Sequence, residues 1–80
     1  MIDHVPGPGI YRLRNGYRAV LRPYRPQNDD EIAFDGTISR PDGYMFRGEW
    51  MKNGVNVSGS SIAERRDLGV LEPWEKPLVG

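Results

Sequence analysis

The side chains able to act on a ligand fall into two charged groups. Arg12, Arg14, Arg18, Arg22 and Arg25 crowd residues 1–27, where only Asp3 opposes them. Arginine at this density is the residue type that contacts phosphate oxygens, and Tyr17, Tyr24 or Tyr44 would supply rings for stacking unpaired bases. Asp29, Asp30, Glu31, Asp35 and Glu49 follow, joined by Asp42 and answered by Arg40 and Arg47. Carboxylates grouped in this way fit a lysine- or arginine-lined groove on a partner. Met45 and Met51 beside them offer an adaptable apolar contact. The plainer account of both groups is a solvated strand face that uses charge against edge-to-edge pairing.

Catalytic spacing is missing. His4 is the single histidine and sits in a Pro/Gly-rich arm, with no hydroxyl or thiol placed for it to activate. Ser58, Ser60 and Ser61 read as a loop and a helix cap. The acidic stretch lacks the alternating ligands and turn glycine of a calcium loop. Asp35 and Glu49, opposite one another on neighbouring strands, have the residue types of a glycosidase pair, but Arg47 between them makes a surface charge ladder the better account. Gly7-Pro8-Gly9 is stiffened by proline and precedes no helix, so it is no phosphate loop. The expectation is a protein without catalytic residues, metal or cofactor.

Composition narrows the class further. Eleven basic and eleven acidic side chains cancel over 80 residues. Zero net charge argues against a generic nucleic-acid binder and against a densely negative DNA mimic. The chain has no cysteine, which excludes disulfide scaffolds, thiolate zinc sites and iron–sulfur clusters. No apolar run approaches the roughly 20 residues of a membrane span. Met1–Pro8 has neither the basic start nor the apolar stretch of a signal peptide, so a bacterial cytoplasmic setting with no membrane is expected.

Positioning these groups falls to strands and tight turns. Asn15-Gly16 lies between two alternating runs, and a three-residue loop Arg14-Asn15-Gly16 pairs Leu13 with Tyr17. That register places Tyr11, Leu13, Tyr17, Ala19 and Leu21 on one face and Ile10, Arg12, Arg18, Val20 and Arg22 on the other. Pro41-Asp42-Gly43 predicts a second hairpin pairing Arg40 with Tyr44, Ile38 with Phe46, Gly36 with Gly48 and Phe34 with Trp50. Its core face is Ile32, Phe34, Ile38, Phe46 and Trp50, with Ala33, Asp35, Thr37, Met45, Arg47, Glu49 and Met51 outside. The facing glycines leave a gap that a large ring can fill. Asn53-Gly54 predicts a two-residue turn pairing Lys52 with Val55 and Trp50 with Val57. Ser61-Ile62-Ala63-Glu64 has capping-box spacing for a short helical turn over roughly 61–67, ending near Gly69. Val70-Leu71 returns as a final strand.

The expected fold class is all-β with one short helical turn: about five antiparallel strands in a twisted sheet or small barrel. Residues 1–9 read as an extended arm, 10–72 as a single small β domain and 73–80 as an extended tail containing Pro73 and Pro77.

The order of these motifs resembles a loose class of very small β-rich proteins of bacteriophages and prophages of proteobacteria. The matching residues are Tyr11-Arg12-Leu13-Arg14-Asn15-Gly16, Trp50-Met51-Lys52-Asn53-Gly54 and Asp67-Leu68, spanning about residues 10–72. The stretch Ser58–Arg66 departs from the short connection usual there. The resemblance implies a phage accessory protein, and the class includes anti-CRISPR inhibitors that bind a host effector complex and stop it engaging DNA. The expected function is thus non-enzymatic inhibition of a host defence complex, a type I CRISPR surveillance complex first, by protein–protein occlusion. Asp29, Asp30, Glu31, Asp35, Glu49, Met45 and Met51 would make the contact. The alternatives are a nucleic-acid-binding β domain using Arg12, Arg14, Arg18, Arg22 and Arg25, and a structural virion or assembly protein.

Overall fold

The computed structural model describes residues 4–24 and 32–74. In chain order these hold β1 (Gly9–Leu13), β2 (Arg18–Pro23), β3 (Ile32–Ser39), β4 (Met45–Met51), α1 (Ile62–Asp67) and β5 (Val70–Pro73). The strands make one antiparallel sheet in the order β4-β3-β2-β1-β5. It is an open sheet and not a barrel, with β4 at one end and β5 at the other.

One turn chemistry recurs three times. Gly16, Gly43 and Gly54 take φ of 94°, 94° and 90°, the left-handed region that only glycine enters without strain. Each glycine N–H donates to a carbonyl three residues back, that of Leu13, Arg40 or Met51. Each preceding Asn or Asp accepts, through Oδ1, the N–H two residues on: Asn15 from Tyr17, Asp42 from Tyr44 and Asn53 from Val55. The first two loops have the predicted length and register, pairing Tyr11 with Ala19, Ile38 with Phe46 and Gly36 with Gly48.

The third turn corrects the sequence reading. Because Asn53 forms the same turn as its counterparts, the loop is Lys52-Asn53-Gly54 and Met51 N–H donates to Val55 O at 2.8 Å. That one-residue slip places Asn56, not Val57, opposite Trp50 and leaves Val55 exposed. Asn56 is buried with its hydrogen bonds met. Its Nδ2 donates to Glu49 O, and its Oδ1 accepts from the backbone of Ser58 and Gly59. A second correction concerns the start of β3. The register shifts between Ile32 and Phe34, so Ile32 stands opposite Met51 and Ala33 packs against the core instead of lying outside.

Trp50 anchors the inner face. Its ring is fully buried over Gly48, and its Nε1 donates to Leu68 O at 2.8 Å, tying β4 to the turn after α1. The expected gap between the glycines is therefore filled by Trp50 and Ile38 on the Gly48 side, while the β2 backbone at Val20 closes on Gly36. α1 has the predicted cap, with Ser61 Oγ accepting from Glu64 N–H. Glu64, however, returns to Ser60, accepting from its N–H and hydroxyl at 2.7 and 2.6 Å. A six-residue helix persists only by packing, here through the Leu68 segment against the sheet. Val5, which nothing in the Pro/Gly-rich arm marks as apolar core, is also buried there; its N–H donates to Lys52 O. No helix among the described residues is long and apolar enough to cross a membrane.

Candidate functional site

Among the described residues the core lies on one side of the sheet, and the rows of the other side, called the open face, follow from the register. One row runs Met45, Ser39, Arg18, Arg12, Glu72 across all five strands. The next runs Arg47, Thr37, Val20, Ile10, and a third Glu49, Asp35, Arg22. The centre is apolar: Ile10 is 46 % and Val20 38 % exposed, and Met45 at the β4 edge is 62 % exposed.

Charge on this face is largely self-satisfied. Arg47 reaches Asp35 at 3.0 Å and Glu49 at 3.7 Å. Both carboxylates of the expected acidic contact are thus held by a cation of their own sheet, which leaves them little capacity to grip a partner's lysine or arginine. Arg12 donates to Glu72 at 3.0 Å and lies 4.6 Å from the centroid of the Trp74 ring. Trp74 N–H in turn donates to Ile10 O, fixing the chain beyond β5 against β1. Arg18 and Arg22 point from β2 to the same face, and among the described residues neither has an ion-pair partner.

The two expected sites are therefore redistributed. Arg12, Arg18 and Arg22 share the open face as predicted. Arg14 leaves the row: it sits in the first turn, its N–H donates to Gly69 O, and its stem runs beside Gly69. Tyr17 and Tyr44, expected as stacking rings for the arginines, belong to the inner side, because their positions share parity with Leu13 and Phe46. Trp74 is the ring that meets an arginine of this face, Arg12, a role the sequence did not assign to it. Met45 and Met51 sit at opposite ends of β4, about 20 Å apart at strand rise, so they cannot form one contact. Arg25, Asp29, Asp30 and Glu31 lie outside the described residues. His4 is exposed on the arm.

No known protein family, curated protein or solved structure matches the chain. The likeness to phage accessory proteins therefore rests on the quoted motifs alone.

Proposed function

We propose that this protein is a non-enzymatic binding module that seats the open face of its sheet on a partner protein and works by occlusion. The observation that carries the reading is the exposed apolar pair Ile10 and Val20 at the centre of the face, with arginines and Trp74 around it and Met45 exposed separately at the β4 edge. An apolar centre with arginine and tryptophan around it is the composition of protein-binding hot spots. The motif resemblance supplies the partner class: a host defence complex in the cytoplasm of a bacterial cell, with a type I CRISPR surveillance complex the first to test. Because Arg47 already holds Asp35 and Glu49, the acidic contribution to that contact passes to Asp29, Asp30 and Glu31.

The test is capture of the complex by tagged protein, with and without nuclease. A defined multi-subunit complex retained after nuclease, and lost with Val20→Glu, supports occlusion. Capture that survives Val20→Glu refutes the open face as the contact. Changing Asp29, Asp30 and Glu31 together to Lys weakens capture if that segment joins the interface and leaves it unchanged if it does not.

A second reading is favoured by Arg18 and Arg22, which have no ion-pair partner among the described residues, with Trp74 lining the same shallow depression as Arg18. These side chains fit a single-stranded nucleic acid, with phosphates on the arginines and a base on the indole. Two phosphate contacts give a slope of roughly −1.4 in log affinity against log salt. Capture abolished by nuclease, with that shallow slope and sensitivity to Arg18→Glu, selects this reading.

A further inference from the structure

The side of the sheet away from the open face carries a cleft of about 560 Å3 between α1 and the tips of the first two hairpins. Tyr17, Tyr44 and Phe46 line one wall, and Glu64 and Asp67 line the other. The rings share this wall because positions 44 and 46 have the same strand parity. Tyr44 and Phe46 have centroids 5.9 Å apart and planes tilted by 30°. Glu64 and Asp67 stand three apart in α1, which brings their side chains to neighbouring positions on one helix face.

The electrostatics of the cleft are one-sided. Among the described residues Arg40 is the cation that lines it, and Asp42 takes its guanidinium at 2.6 Å. Neither Glu64 nor Asp67 has an ion-pair partner among the described residues. Glu64 also stays ionised at neutral pH, since the Ser60 hydroxyl and N–H both donate to its carboxylate. Tyr17 and Phe46 beside a Tyr44 ring that already meets one guanidinium, with two carboxylates that have no ion-pair partner among the described residues, make a site for an organic cation. Its volume is within the range of about 300–1,000 Å3 usual for small-molecule sites, more than enough room for one arginine side chain.

We propose that this cleft binds an arginine side chain presented by a partner protein. A guanidinium is flat, so it stacks on a ring while its edge donates to carboxylates, whereas an ammonium has no face to stack. The chain holds one example of the first half of that contact: the Arg40 guanidinium lies 5.3 Å from the Tyr44 ring centroid. Glu64 and Asp67 supply the acceptors for the second half. The site is on the other side of the sheet from the surface assigned above and does not depend on that reading.

The experiment is an NMR titration of the full chain with the blocked peptide Gly-Arg-Gly, beside the same peptide carrying citrulline or lysine. Citrulline keeps the shape of arginine and removes the charge. The expected result is saturable movement of the Tyr17, Tyr44 and Phe46 ring signals with the arginine peptide. Citrulline, which loses the charged hydrogen bonds, and lysine, which loses the flat face that stacks, should each bind roughly tenfold more weakly or worse. Asp67→Asn and Tyr44→Ala, both at exposed positions, should each weaken arginine binding several-fold while core methyl signals stay in place. Val20→Glu should leave it unchanged, which separates this site from the open face. The proposal is overturned by no saturable shift, by citrulline or lysine binding as tightly as arginine, or by indifference to both Asp67→Asn and Tyr44→Ala.

Discussion

Gly48→Ala tests whether the Trp50 ring sets the identity of the residue two positions before it on the same face of β4. A methyl at position 48 would sit 2.6 Å from Trp50 Cη2 and 2.7 Å from Ile38 Cδ1, inside any permissible carbon–carbon contact. Both obstacles are side-chain ends, so the core can yield, at the roughly 1–3 kcal/mol typical of overpacking. For a domain of this length 2 kcal/mol lowers the melting temperature by about 8–16 °C. Trp50→Phe deletes the part of the ring that the methyl would meet, but it also opens a void and leaves Leu68 O without its donor. Each single variant is therefore destabilised, by about 2 kcal/mol or more. The double variant should be more stable than the sum of the two losses allows, by about 1 kcal/mol or more. Gly36→Ala is the control. There the methyl would lie 1.7 Å from Val20 O, which is backbone, so Trp50→Phe should not relieve it. Urea unfolding followed by far-ultraviolet circular dichroism measures all six proteins, the double variant of Gly36→Ala with Trp50→Phe included, with an unchanged m-value required for the comparison. Strict additivity of Gly48→Ala and Trp50→Phe would refute the argument.

Three further outcomes follow from the geometry. Asn56→Ala removes the acceptor of the Ser58 and Gly59 N–H groups in a buried position and should cost about 2–4 kcal/mol; a loss under 0.5 kcal/mol in urea unfolding would show that water replaces the amide. Arg47→Ala leaves Asp35 and Glu49 directly opposed across β3 and β4. Because Arg47 is largely exposed the loss should stay below about 1 kcal/mol, and it should shrink in 0.5 M salt; a salt-independent loss contradicts an electrostatic cause. Finally, Ser60 holds the Glu64 carboxyl below its ordinary 4.5. A folded value depressed in this way contributes stability above the unfolded value and loses it as pH falls through the folded one. The Glu64 carboxyl signal should therefore titrate below 4.5, and α1 should loosen on acidification beneath that point; a midpoint at or above 4.5 is the contrary result.

The two long hairpins were legible because Asn-Gly and Pro-Asp-Gly stand between runs of strict alternation, where one register alone keeps the apolar residues together. The turn at Asn53-Gly54 was not. Choosing the loop that kept Val57 with Trp50 favoured apolar burial, whereas the chain buries Asn56 and satisfies it with backbone groups that no pattern of types reveals. Ala33 likewise hides a bulge, and Val5 is one apolar residue among prolines and glycines. Of the surface groups, the inventory of charges could be read but not their pairing. That Arg47 spans Asp35 and Glu49, or that Arg12 lies against Trp74, depends on side-chain reach across strands. Tyr17 and Tyr44 show their parity in the sequence, but the facing carboxylates come from α1, whose docking position follows only from the whole fold.

The order β4-β3-β2-β1-β5 also has a kinetic consequence. The first four strands are joined by successive hairpins, so each can pair as soon as its neighbour exists. β5 is different: its Glu72 meets Arg12 across 60 positions of chain. Even with the first four strands paired, the stretch from Met51 to Val70 must still be closed, at about 2.5 kcal/mol of chain entropy, more than a three-residue turn of defined geometry. β5 should therefore dock last, and it is also the last of these five strands in chain order. Until it arrives, the backbone of β1 is an unpaired edge beside a partly formed core, the state in which a nascent β protein is most prone to pair with another copy. The four residues Val70–Pro73, with a proline at the end that offers no N–H, convert that edge into one unsuited to further pairing.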